Sequence, residues 1–262
     1  MTAGASATLC RLRQVVAKIE GQETDLGIAA RTLALGAQAI DASLQGGLAS
    51  ASLHEIAPAS AHDLGASVGF ALALAALAAR APSGRSTLWI QTDFAALEAG
   101  HIYDPGCDLF GLPANRLLIV KVSRPLDALW AMEEALKCHA LANVIAELPK
   151  DASIANLTAT QRLTLAAREG SGFGFLLRHR PSPLTSAAET RWLVAGAPSR
   201  PDSFGGFGRA AFALTLTKNR RGPTGRWTVA WDHHERSFQA LSLGVAQTAF
   251  DRPGRVPFVR AG

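Results

Sequence analysis

Cysteine is scarce in this chain, and so is lysine. The three cysteines, Cys10, Cys107 and Cys138, lie far apart in 262 residues. An odd number at those separations fits neither a secreted disulfide framework nor a metal-ligand spacing, and points to a reducing compartment, the cytoplasm. The five lysines are Lys18, Lys121, Lys137, Lys150 and Lys218, and none follows a glycine. That excludes the phosphate loop G-x-x-x-x-G-K-[ST], in which backbone amides cradle phosphates and the Lys reaches the terminal one. The opening MTAGASATLCRLRQ lacks the basic-then-apolar order of a signal peptide. The most apolar run, residues 68–79, is mostly Ala and too short to span a bilayer, so no membrane association is expected. G-x-S-x-G occurs only as Gly65-Ala-Ser-Val-Gly69, inside a helix rather than at a strand–turn–helix elbow, which argues against Ser67 as a nucleophile. His233 and His234, read as neighbours on a strand, would point to opposite faces, and no third ligand stands at metal spacing.

What is present is a chain with 48% hydrophobic residues, enough for one substantial core. The organising stretch is LHEIAPASAHDLGASVGFALALAALAAR, residues 53–80: a short strand, a Pro-containing loop and an Ala-rich helix from Leu64. Strand, loop, helix is the layout of a nucleotide-binding loop. Here the loop reads Ala57-Pro-Ala-Ser-Ala-His-Asp63, with Asp63 where a cation should attract phosphate. Further strands are expected at 87–91 (TLWIQ), followed by a loop holding Asp93, and at 117–122, 143–148 and 173–177. Helices are expected over 127–141, with Leu129, Met132 and Leu136 at core spacing, and over 158–169. Strands alternating with helices predict parallel βαβ units and an α/β fold. After Arg178 the pattern changes to Pro/Ser/Gly loops, a strand at 190–195 and a period-2 pair, 212–218 and 226–232, read as an antiparallel hairpin. His54 and Glu55 fall on the central strand with core or capping roles.

The net charge of +5 is unevenly spread: 13 Lys+Arg against 16 Asp+Glu up to Leu177, then 13 against 5 from Arg178 onward. Arginine dominates the basic part, and arginine makes bidentate contacts to phosphate and carboxylate. The candidate nucleic-acid or partner contacts are Arg178 and Arg180 in one basic loop, and Lys218, Arg220 and Arg221 at the exit of a strand. Few aromatics lie near them, so weak, sequence-independent DNA binding is the expectation.

The landmarks over residues 33–236 resemble the RecA recombinase core. ALGAQAIDASLQGGLASASLHEIAP is similar to the run into its phosphate-loop strand, TLWIQTD to its second strand, NVIAEL to its Walker B strand, and TLTKNRRGPTGRWTVAWD to its late hairpin. More narrowly, PLDALWAMEEALKCHALANVIAEL, TATQRLTLAAREG and SAAETRWLVAGAPS resemble the ImuA family of RecA-like proteins. That resemblance implies a RecA-like core with a degenerate phosphate loop and no nucleotide cofactor. It implies an accessory role in damage-induced, error-prone translesion synthesis, beside an ImuB-type polymerase-like protein and an error-prone replicative-type DNA polymerase, with RecA a further candidate partner. Asp93 and Glu147, at the ends of adjacent strands, would hold Mg²⁺ and water in an active relative; without the loop Lys they read as solvated or capping acids. The Lys218 motif corresponds to one that in RecA reaches a neighbour's nucleotide. The segments matching the two RecA DNA loops, 150–156 and 178–187, are short.

The domain reading is an N-terminal arm (1–24), a core (25–240) and a tail (241–262). The arm carries an amphipathic stripe, Leu9, Leu12, Val16 and Ile19; the tail sets Phe250, Val256, Phe258 and Val259 among Arg252, Arg255 and Arg260. Apolar anchors of this kind suit partner docking, and Leu9, Leu12, Val16, Ile19, Phe250 and Phe258 are the candidates. Two alternatives stand beside a non-hydrolysing interaction module: a DNA-stimulated ATPase with an altered phosphate site, and a SulA-like inhibitor of cell division.

Overall fold

The computed structural model describes residues 32–80, 84–149, 154–199, 206 and 208–241. A short ribbon, β1 (Thr32–Leu33) paired with β2 (Leu48–Ala49), brackets helix α1 (Gln38–Ser43). Then come β3 (Ser52–Pro58), a 3₁₀ turn (Ala61–Asp63), α2 (Leu64–Ala79), β4 (Ser86–Thr92), α3 (Asp93–Ala99), α4 (Asp104–Leu109) and β5 (Leu117–Val122). The chain continues through α5 (Pro125–Leu136), β6 (Leu141–Leu148), α6 (Leu157–Gly170), β7 (Phe173–Arg178) and β8 (Thr190–Gly196). The last strands are β9 (Ala211–Asn219), β10 (Gly225–Asp232) and β11 (Ser237–Ala240).

Nine of these strands form one sheet in the order β11-β10-β9-β8-β3-β7-β6-β4-β5. The pairings from β5 through β8 are parallel, and β8–β9, β9–β10 and β10–β11 are antiparallel. This is the expected α/β architecture, a mostly parallel sheet with a late antiparallel hairpin, consistent with a RecA-like core. β3 lies at its centre and reads SLHEIAP, buried from Leu53 onward, because helices cover both of its faces.

Each face has its own core. On one, α2 lays Phe70, Leu74 and its alanines against Ile56, Ile145, Leu177 and Trp192, while Phe212, Trp231 and Phe238 extend the cluster along the antiparallel strands. Small alanines let this helix approach the sheet closely. Residues 61–79 are long and apolar enough by composition to cross a membrane, yet most of them are buried here. On the other face, α5 and α6 pack Leu129, Met132, Leu136 and Leu163 over Leu53, Ile90, Val144 and Leu176. Burying each such side chain contributes about 1.5–3 kcal/mol. Gly170 ends α6 directly against the backbone carbonyl of Leu136, where a Cβ would collide.

Several boundaries differ from the sequence reading. Helix α5 stops at Leu136 rather than 141, and Leu141 already pairs in β6. The loop expected around Asp93 is α3, capped by Thr92, whose Oγ1 accepts from Ala95 N at 3.1 Å. His233 and His234 lie in the β10–β11 turn rather than on a strand, with ring centroids 3.9 Å apart. Strand β11, whose pattern SFQA is too short to show a period, closes one edge of the sheet.

Candidate functional site

The loop between β3 and α2 has the strand–loop–helix layout in which backbone amides can cradle a phosphate. Here it holds its own carboxylate. Asp63 Oδ2 accepts from Ser60 N at 3.0 Å and Ser60 Oγ at 2.6 Å, and Oδ1 accepts from Gly196 N at 3.0 Å across the sheet. These bonds, the Ser60 hydroxyl first and the Gly196 amide second, hold the Asp63 pKa below the ordinary carboxylate value. A negative charge bonded to the Ser60 and Gly196 amides therefore stands just ahead of α2 and opposes an incoming phosphate.

At the carboxyl ends of β6 and β4, where α/β folds place their ligands, Glu147 and Gln91 are neighbours in register. Glu147 is only 1% exposed. Trp89 Nε1 (3.2 Å) and Gln91 Nε2 (2.9 Å) donate to its Oε2, and His179 Nε2 lies 2.7 Å from Oε1. His179 Nδ1 in turn is 3.3 Å from Glu98 Oε2. Burial alone would lower the His179 pKa; the bonds and charges of Glu147 and Glu98 together outweigh it, so the imidazole is held protonated above its ordinary value. The reading of Glu147 as a solvated or capping acid is corrected by this enclosure. Asp93 behaves as read: exposed, first in α3, accepting from Ser123 Oγ at 2.8 Å.

Beside Glu147 opens a cavity of about 420 Å³, walled by Gly65, Gly69 and Leu72 of α2, by Tyr103, Cys107 and Phe110 around α4, and by Phe212. Gln91 and Glu147 supply polar atoms to its lining, and those already have internal partners.

A second buried carboxylate, Glu55, lies on the opposite face. Arg178 Nη2 donates to Oε1 at 3.1 Å, and Arg191 Nε to Oε2 at 2.6 Å. Desolvation would raise the Glu55 pKa, but Arg178, Ser186 and Arg191 lower it further than burial lifts it. The loop after β7 is pinned to this cluster: Arg191 Nη1 donates to Ser182 O at 3.4 Å, and Lys218 Nζ to Ser186 O at 2.6 Å.

The candidate cations are thus divided. Arg178 is the last residue of β7, not a loop residue; it is buried and spent on Glu55 and on Ala155 O at 2.9 Å. Its burial removes it from the surface contacts the sequence suggested. Lys218 is half-buried on β9, its pKa lowered by desolvation and by Arg220 and Arg191. Arg221 is half-buried, donating from Nη2 to Gln45 O at 3.4 Å, while Gln45 Nε2 donates to its carbonyl. Arg180 and Arg220 are exposed. Leu9, Leu12, Val16, Ile19, Phe250 and Phe258 lie outside the described residues.

Among the described residues no group of three His, Cys, Asp or Glu side chains is placed to hold a metal ion. The chemistry of the strand ends is that of closed ion pairs rather than open ligand positions. Sequence reasoning found Glu147 and Glu55 but missed Trp89, Gln91, His179 and Arg191 as their partners. A register assignment would have found two of them, since Gln91 stands opposite Glu147 and Arg191 opposite Glu55.

No family model matches this chain. Two curated relatives, each named Protein ImuA and from two strains of Caulobacter vibrioides, are 34% identical to it over 138 residues, 48% of this chain and 54% of theirs. The chain therefore spans about half the length of the curated relatives it matches, and over that half it is ImuA-like.

Proposed function

We propose that this protein is a non-hydrolysing, RecA-like accessory component of damage-induced, error-prone translesion DNA synthesis. The similarity to Protein ImuA supports the process. The observation that carries the non-hydrolysing part is Asp63: three donors that could meet a phosphate are already taken by an internal carboxylate. Glu147, where an active relative would present an acid to Mg²⁺ or water, is instead saturated by Trp89, Gln91 and His179. The work of such a fold is assembly. Its partners in this reading are an ImuB-type polymerase-like protein and an error-prone replicative-type polymerase, with RecA a further candidate. The apolar stripe Leu9, Leu12, Val16 and Ile19 and the tail anchors Phe250 and Phe258 provide the docking groups. Arg180 and Arg220 provide weak, non-specific contacts to DNA phosphate.

Calorimetric titration with Mg-ATP tests the first part. No heat of binding is expected at micromolar nucleotide; micromolar affinity, or turnover that vanishes in Glu147→Gln, would refute it. Co-purification with the polymerase-like partner tests the second. Deleting 245–262 is expected to abolish capture while leaving the fold intact, and unchanged capture removes the tail as the dock.

A further inference from the structure

Helices α5 and α6 lie side by side over one face of the sheet, and their outward surface is more apolar than solvent exposure calls for. α5 spends Ala128, Leu129, Met132 and Leu136 on the core. The positions facing away from that stripe should then be polar. They include instead Leu126 and Trp130, one helical turn apart and 59% and 64% exposed. On α6, Leu165 is 62% exposed, three residues beyond exposed Arg162. Between the two helices runs a groove of about 330 Å³, with buried Leu129 and Leu163 at its base and Leu126, Trp130, Ile154 and Ala159 as its walls. It lies on the opposite face of the sheet from α2.

The surroundings of the groove are charged but balanced. Arg124 grips Asp127 with two bonds, at 2.9 and 2.7 Å. Glu133 meets Arg162 of the other helix at 2.8 Å, and Glu134 meets Lys137 at 2.8 Å. Three cations against three anions leave no net field to recruit nucleic acid or a strongly acidic or basic protein. A surface of this kind matches itself. It offers a projecting indole and, next to it, a recess large enough to take one. Its mixed charges let two identical patches face each other without net repulsion. Those are the demands of a two-fold interface, where the same patch serves both subunits. The extent of the patch sets the strength. Helices of 12 and 14 residues are about 18 and 21 Å long, and side by side they present a face about 20 Å wide. With its corrugation, that face approaches the lower limit of a specific interface, about 600 Å² per partner. Association is therefore weak and depends on concentration.

We propose that this protein self-associates through the α5–α6 face. A two-fold axis near Trp130 seats the indole of each copy in the groove of the other, against Leu126, Ile154 and Leu163. The inference rests on this surface alone and does not depend on the translesion reading.

Sedimentation equilibrium of the full chain from about 1 to 100 µM tests it, and the parent is expected to pass from monomer to dimer across that range. Trp130→Glu and, separately, Leu126→Lys should weaken association by about tenfold or more. Both side chains are mostly exposed, so the thermal unfolding transition should be retained. Leu109→Lys, at a leucine 70% exposed on α4, is the control and should leave the dimer intact. A parent chain that stays monomeric throughout overturns the proposal, whatever else covers the groove. So does a dimer that survives both substitutions, or one that Leu109→Lys dissolves, which moves the interface to α4. If Trp130→Glu fails to fold, Leu126→Lys decides alone.

Discussion

Two consecutive residues at the end of β7 neutralise two buried carboxylates on opposite faces of the sheet. Arg178 turns to Glu55, on the side of α5 and α6; His179 turns to Glu147, on the side of α2. Both carboxylates are almost fully enclosed, at 4% and 1% exposure. The difference lies in the counter-charge. Glu55 is held by two guanidiniums, which stay charged at any pH the fold survives. Glu147 is held by an imidazole, whose charge depends on pH, and by two neutral donors. The first arrangement is a fixed brace that ties the loop after β7 to the sheet. The second is conditional, and it borders the cavity.

The comparison can be broken at Glu55 first. Glu55→Ala leaves Arg178 and Arg191 buried without an anion, and a loss of about 3–5 kcal/mol is expected in denaturant unfolding. Glu147→Gln keeps an acceptor for Trp89 and Gln91 and leaves His179 free to lose its proton. A smaller loss, about 1–3 kcal/mol, is expected there. Equal losses would mean that the two braces do not differ as their counter-charges imply.

A pH series sharpens the same contrast. The folded pKa of His179 is raised, so its contribution is fully present below the unfolded imidazole value, about 6.5, and fades as pH rises through the higher folded value. The folded pKa of Glu55 is lowered, so its contribution is present above 4.5 and disappears as pH falls through the depressed value. His54, buried between Thr190 Oγ1 and Ala49 O, has its pKa lowered to about 4. Its unfolded form takes up a proton first, so stability also declines as pH falls from about 6.5 toward that value. Subtracting a His179→Gln series from the parent series cancels His54. The difference should be largest below neutrality and shrink at alkaline pH; a flat difference would remove the conditional role of His179.

The smallest expected effect concerns DNA. With Arg178, Lys218 and Arg221 engaged internally, Arg180 and Arg220 are the exposed members of the set. Two phosphate contacts give a slope of log affinity against log salt of about −1.4 on single strands. Five contacts would give about −3.5, so the slope reports how many of these cations are free.

Elements with sustained period or clear punctuation were legible before any coordinates. The helix at 64–79, the core spacing of Leu129, Met132 and Leu136, and the antiparallel hairpin of 212–218 with 226–232 all follow from residue pattern alone. Helices α3 and α4 were not, because six or seven residues with a single buried side chain carry no period. The site was half legible. Acids at strand ends mark Glu147 and Glu55, but what surrounds an acid depends on strand order. Arg178 read as a free loop cation because its counter-ion lies 123 residues back in sequence, on β3. Asp63 read as an obstacle to phosphate, and its bond to Gly196 required the position of β8.

The place of β3 at the middle of the sheet has a consequence for how the chain comes into being. It is the first long strand to be made, and its two flanking partners, β7 and β8, come last among the parallel strands. Glu55 waits for Arg178, 123 residues on, and His54 for Thr190, 136 residues on. At about 5–20 residues per second, a ribosome leaves β3 and its alanine-rich helix without their flanking strands for roughly 7–30 s. Pairings so distant in sequence also close slowly once they can form. During that interval the most apolar helix of the protein is unsheltered, and whatever binds nascent chains will meet it before the sheet does.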